Sequence, residues 1–159
     1  MAELDPTARE SNFRDSVKKF FVDNLYKTEG VELSFDKTLS TPKVQGVEIE
    51  KWYMILFGSF NPNVFGDAEI TIFCCAKKDS EGFKVAQLRD KVMKYLVDTD
   101  QTDCAKRVVL YRSSATEVWT SIGTMIIEIS DNAESSQMEA EDGTKFKTIS
   151  VRFRWSAKL

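Results

Sequence analysis

Strict alternation of apolar and polar residues in two segments constrains this chain more than any other feature of its sequence. In residues 67–76 every second position is small or apolar, and residues 144–155 repeat the pattern with four large apolar side chains. A period of two is typical of a β-strand with one face in a core. The positions predicted to face that core are Ala68, Ile70, Ile72, Cys74, Ala76, Ile149, Val151, Phe153 and Trp155.

The most apolar run of the chain, WYMILFGSF at 52–60, stands just before the segment 67–76. Asn61-Pro62-Asn63 lies between them and is a turn signal, so the two segments are predicted to form a hairpin. Shorter or less regular strands are predicted at residues 31–35, 107–111 and 117–129, with a loop at 36–43, and Val44, Val47 and Ile49 lead into the strand at 52–60.

Two amphipathic helices are predicted to cover the sheet. Asp5 with Pro6, or Thr7 with Glu10, would cap the first helix, and Glu29-Gly30 would end it. The second helix is predicted at about Phe83–Val97. The apolar stripe of the first helix is Phe13, Val17, Phe20, Phe21 and Leu25, and that of the second is Val85, Leu88, Val92, Tyr95 and Leu96.

The order of these elements, α-β-β-β-α-β-β-β, predicts an α+β fold. We expect a mainly antiparallel sheet of about five to six strands with two helices packed on one face. With 159 residues, 42% of them hydrophobic, the chain is long enough for one domain over 1–159 to build its own core.

The composition excludes several functions. The chain has no histidine, which removes Ser-His and Cys-His triads and histidine metal sites. It has no glycine-rich phosphate loop and no G-x-S-x-G elbow, and Asp98, Asp100 and Asp103 lack the glycine and distal glutamate of a calcium loop. A net charge of −3 argues against general nucleic-acid binding. We therefore predict a binding or assembly protein without catalytic residues, metal or cofactor.

The three cysteines are predicted to be reduced. Cys74 and Cys75 are adjacent in a strand and so point to opposite faces, while Cys104 lies in a loop. Three thiols without histidine or C-x-x-C spacing make a poor zinc site. The polar N-terminus resembles no signal peptide, and no apolar run reaches the length of a membrane span.

Residues 130–143 form a long acidic loop within the predicted closing hairpin, and the strand that follows is basic. The loop has no basic residue, and the strand has no acidic one. One interpretation is a mobile solvated tip; the other is an acidic arm that meets the basic face of a neighbouring copy. On the second interpretation the interface with another subunit or a tube comprises Asp131, Glu134, Glu139, Glu141, Asp142, Lys145, Lys147, Arg152 and Arg154.

The course of the chain over about residues 8–155 resembles the tail terminator proteins of tailed bacteriophages. The resemblance lies in the N-terminal amphipathic helix, WYMILFGSF, NPN and AEITIFCCA, then FKVAQLRDKVMKYL, RVVLYRS and the closing TISVRFRW. It implies a virion protein, assembled in the host cytoplasm, that forms a hexameric ring at the head-proximal end of the tail. The implied partners are the tail tube protein and a neck or head-completion protein. DNA would pass through the lumen without sequence-specific binding.

Two other functions stay open. A neck, head-closure or tail-tube ring protein would have a similar α+β fold. From another class, the 3 Trp, 4 Tyr and 11 Phe could line an apolar pocket for a small ligand instead of filling a core.

Overall fold

The fold begins with a helix whose apolar stripe is buried. The computed structural model describes residues 9–36, 43–44, 46–61, 65–102, 104–115, 118–130 and 132–156. Helix α1 spans Arg9–Phe21 and continues as a π-helical segment, Val22–Thr28, which ends before Gly30 at a φ of +70°. The predicted caps Asp5, Pro6 and Thr7 lie outside the described residues.

In the described ranges nine strands and a second helix follow. Helix α2, Phe83–Leu96, begins where Asp79 Oδ2 accepts the Val85 N–H at 3.1 Å, which satisfies one of the free donors of its first turn. The strands are β1 Glu32–Phe35, β2 Lys43–Val44, β3 Val47–Glu48, β4 Lys51–Asn61, β5 Phe65–Ala76, β6 Lys106–Ala115, β7 Val118–Glu128, β8 Met138–Glu139 and β9 Lys145–Ser156.

The main sheet has the strand order β1-β4-β5-β9-β7-β6. Only the β1–β4 pair is parallel among the pairings within the described ranges, and β8 joins the sheet beside β9. The α+β prediction with a mainly antiparallel sheet is therefore confirmed. Val44 and Val47, which were expected to lead into β4, instead pair with each other in the separate β2–β3 ladder.

Both helices pack on the same face of this sheet, as predicted. Their stripes share one core with alternate residues of β4, β5, β9, β7 and β6. Two residues of the predicted stripes, Phe20 and Tyr95, are only half-buried and pack against the core from its border. On α1 the side that faces the sheet carries Phe13, Val17 and Phe21, and Phe20 lies beside it.

The face of the sheet that carries the helices is called the inner face below, and the opposite one the outer face. Cys74 belongs to the inner core, and Cys75 is buried on the outer face with Trp52 and Met54. Burial raises the pKa of Cys74 to about 12 and that of Cys75 as well, so both thiols stay protonated. The prediction that the two point to opposite faces is confirmed.

Among the helices of the described ranges, none is long and apolar enough to cross a membrane.

Candidate functional site

The acidic segment is held along the edge of β9 rather than projecting from the domain. The Ser135 N–H donates to Thr148 O at 3.0 Å, the Ser150 N–H donates to Ala133 O at 2.9 Å, and Met138 pairs with Phe146. These bonds form a discontinuous antiparallel ladder beside β9. We call residues 132–144 the acidic strap. The interpretation of residues 130–143 as a solvated tip of the closing hairpin is wrong, because the backbone of the segment pairs with its own sheet.

Glu134 anchors the strap to α2. Arg89 donates to both Glu134 carboxylate oxygens, from Nε at 2.6 Å and from Nη2 at 2.9 Å, and Lys147 Nζ lies 3.2 Å from Oε1. The hydrogen bonds from Arg89, with help from Lys147, lower the pKa of Glu134 to about 2 despite partial burial. Two-point Arg–carboxylate pairing fixes orientation as well as distance, so the strap has a defined position over α2.

Further bonds tie the strap to the loop before α2. Gln137 Nε2 donates to Gly82 O at 3.0 Å and its side chain fills the space that a side chain at Gly82 would need. Lys145 Nζ donates to Ser80 O at 2.7 Å, and Lys77 Nζ lies 3.7 Å from Asp142. These bonds fix the strap to the loop that precedes α2.

The basic residues of β9 do not form a single surface. Lys145 and Lys147 have the same parity as Ile149 and lie on the inner face beside α2, whereas Arg152 and Arg154 lie on the outer face. The predicted common basic face is therefore wrong, for the reason that gives a strand two faces.

Each outer-face arginine already has a partner within its own chain. Arg152 donates to Asp67, and Arg154 Nη1 donates to Glu128 Oε1 at 2.7 Å. The hydrogen bonds from Asn61 and Arg152 lower the pKa of Asp67. The arginine pair therefore belongs to a charge network that crosses β5, β9 and β7.

Two residues of the predicted interface are exposed in the strap. Glu139 and Glu141 have no ion pair with any part of the chain that the structure describes. Asp131 lies outside the described residues. Of the nine predicted interface residues, six are thus committed to contacts within the chain: Glu134, Asp142, Lys145, Lys147, Arg152 and Arg154.

Two adjoining grooves of about 780 and 550 Å³ run over the outer face. They share Ile126, Glu128 and Arg152, and the smaller one also includes Phe65 and Arg107. Phe65 is 83% exposed, which is high for a phenylalanine. The grooves are lined by charged side chains of both signs, so they do not resemble a pocket for an apolar ligand.

The sequence reasoning missed a projecting hairpin. Strands β6 and β7 pair from Lys106–Ile127 to Ala115–Val118, but within the described residues β7 pairs with β9 only at residues 125–128. The two strands therefore extend beyond Ser156, the last described residue of β9. We call residues 111–115 and 118–124 the arm.

Helix α1 supports one side of the arm. The Tyr111 N–H donates to the buried Ser16 Oγ at 2.7 Å, and Ser16 donates in turn to Asn12 O at 2.7 Å. Lys19 Nζ lies 5.6 Å from the ring centre of Tyr111 and 5.5 Å from that of Trp119. The arm therefore has a fixed direction relative to the core.

The aromatic residues mostly fill the core. The Phe13 ring lies within 6.0 Å of the ring centres of Phe57, Phe60, Phe153 and Trp155. In the described part of the chain no cluster of three or more Cys, Asp or Glu side chains could hold a metal ion. Asp98 instead accepts the Asp100 N–H and stabilises a turn; Asp103 lies outside the described residues.

Comparison with known proteins supports the fold. No family model and no curated protein matches the chain. A solved structure is similar over 92% of this chain and 96% of that one, with a TM-score of 0.52 and 7% sequence identity. Its name states no activity. At this identity the likeness shows the α+β fold and nothing about function.

Proposed function

We propose that this protein is a structural virion component, a tail terminator. In this proposal its copies form a ring that caps the tail tube, ends tube growth and presents the surface for head joining. It acts by shape and contact, with no catalytic step.

The observation that carries the proposal is the combination of element order with the arm. The order helix, hairpin, helix and closing sheet is the order that the resemblance to tail terminators implies. The arm adds a projection that α1 holds at Tyr111, and in the arm β7 pairs with β6 on one side while no described strand pairs with its other side. Such a projection offers a heterologous contact to the next subunit of a ring.

The test is assembly on a tube. Purified protein is mixed with tail tubes and examined by negative-stain imaging, and the same protein is examined alone by native mass spectrometry. We expect rings at one end of the tube and no further tube growth after capping. Tubes that lengthen normally and carry no cap would contradict the proposal.

A neck or head-closure protein is the alternative within the same class. It would co-assemble with the portal-side complex and leave tube growth unchanged, so the two mixtures separate the two functions. The apolar-ligand alternative gains nothing from the grooves of the outer face, which arginine and carboxylate side chains line.

A further inference from the structure

The free sheet edges of the chain differ in how well they are protected. At the β6 edge, Ala105 forms a bridge with Val97, and the Tyr111 N–H is taken by Ser16. Along β9, the acidic strap and β7 cover the side away from β5. The edge of β7 in the arm is not covered by any of the described residues.

The register shows which backbone groups this open edge offers. The Tyr111 N–H points away from β7, because it reaches Ser16 on α1. Residues that face each other in an antiparallel pair either both bond to each other or both point away. Ser121 faces Tyr111 and Trp119 faces Ser113, two residues further along. The N–H groups of Ser121 and Trp119 therefore point outward from the arm.

Charge and proline, two of the usual devices against strand pairing, are missing from this edge, although the β6–β7 register shifts at Ile122, between the Leu110–Gly123 and Tyr111–Ser121 pairs. Residues 118–124, VWTSIGT, contain no charge and no proline. Natural edge strands are commonly blocked by charged residues, proline or a covering element. An uncharged edge whose outward N–H groups have no partner among the described residues is a template for another strand.

We propose that the arm edge of β7, residues 118–124, receives a strand from a second copy of this chain. The inference rests on the proposed ring and names its subunit contact. The added strand would extend the sheet in line with β9 and would pass Phe65, which faces Ser156 at the end of β9 and is 83% exposed. Burying this ring would add apolar contact to the backbone bonds.

The sheet itself favours a second copy as the occupant. The strand order begins with β1, which pairs with β4 alone among the described strands, so β1 and the arm edge of β7 are two different edges of one sheet. When such an edge strand of one copy pairs with the arm edge of the next, the copies join head to tail. Such heterologous contacts close into a ring when the rotation between copies allows it. Pairing of two identical arms would instead give a dimer.

The test compares two substitutions at one exposed position. Ser121→Pro removes the outward N–H but leaves the bonds between β6 and β7, and proline is tolerated at sheet edges. Ser121→Ala keeps the N–H and serves as the matched control. We expect self-association by sedimentation to weaken about tenfold in S121P, the equivalent of one lost hydrogen bond per interface. S121A should associate like the wild type, and both should keep the wild-type circular dichroism.

Hydrogen exchange gives a second measurement that does not depend on a variant. The amides of Trp119 and Ser121 should exchange freely in the monomer and become protected in the assembled state. Slow exchange of these amides in the monomer would show that the chain's own residues 157–159 or another segment fill the edge, and would overturn the inference. Phe65→Ser should weaken association without loss of folding, and unchanged association would count against the proposed path of the strand.

The failures of the two proposals can be told apart. If the wild type assembles and caps tubes while S121P does the same, only the inference about the arm is wrong. If the wild type neither self-associates nor caps tubes, the proposed function falls and takes the inference with it.

Discussion

The acidic strap and the arm differ in a way that their sequences conceal. The strap carries carboxylates in a segment with no clear strand pattern, yet Glu134, Gln137 and the backbone around Ser135 bind it to β9 and α2. The arm has an ordinary strand sequence, yet one of its edges has no partner among the described residues. The charge of a segment therefore does not indicate whether it is bound to the rest of the domain. Whether it is bound depends on the partners that distant parts of the chain place beside it.

The largest expected effect comes from the core on which both regions rest. Phe13→Ala should lower the free energy of unfolding by about 3–5 kcal/mol, because the ring is buried among four other aromatic rings. Phe20→Ala is the matched control on the same helix, and we expect about 1–2 kcal/mol because Phe20 is half-buried. Urea denaturation measures both. Equal losses would mean that the two rings are equally buried.

The next largest effect is a pH dependence of the stability that arises in the strap and not in the arm. The pKa of Glu134 is about 2, below its ordinary 4.5, so its pairing stabilises the fold above pH 4.5 and is lost as the pH falls toward 2. Glu134→Gln should cost roughly 1–2 kcal/mol at pH 7, reduced by the screening of a side chain that is 29% exposed. The variant should also lose less stability than the wild type between pH 4.5 and 2.

Hydrogen exchange locates this loss within the molecule. In Glu134→Gln the amide of Ser135 should exchange faster while that of Tyr111 is unchanged. A variant with the wild-type dependence on pH and no faster exchange would show that the strap does not depend on Glu134.

Much of the fold is predictable from the local pattern of apolar residues. The difference between the bound acidic strap and the unpaired edge of the arm is not. Alternation placed Phe153 and Trp155 in the core correctly, and the same parity, read back to Lys147, separates it from Arg152. The alternation alone therefore separates Lys145 and Lys147 from Arg152 and Arg154. The strap, by contrast, depends on a bond between Arg89 and Glu134, which are 45 residues apart. The spacing of apolar residues along the sequence does not predict such a pair.

The arm shows a second limit. Its strands were predicted, but too short at the β6 end, where the pattern weakens after Tyr111. The length by which a hairpin projects depends on where the adjacent strand of the sheet ends. Here the register between β7 and β9 places the end of β9 beside Met125 and Thr124. Register between strands that are distant in the sequence is not encoded in either strand alone.

A smaller effect tests the support of the arm. Ser16→Ala leaves the Tyr111 N–H without its acceptor at a part-buried position, and we expect a loss of about 1 kcal/mol. The amide of Tyr111 should exchange faster, whereas Ser135 in the strap should keep its wild-type rate. Ser16→Thr, which keeps the hydroxyl, is the control. If Ser16→Ala leaves the exchange of Tyr111 unchanged, the arm does not depend on α1 at this point.

The smallest effect on folding is expected at the outer face. Arg154 pairs with Glu128, and both side chains are largely exposed, so the pair is screened by solvent. Arg154→Glu should shift the denaturation midpoint by little more than the error of the measurement, and the exchange Arg154→Glu with Glu128→Arg should restore the pair. We predict that Arg154→Glu weakens assembly more than it weakens folding, and that added salt reduces the difference. If the Arg154→Glu variant assembles at the wild-type level at low salt, Arg154 forms ion pairs only within its own chain. The contact between copies would then involve the arm and not the arginine pair.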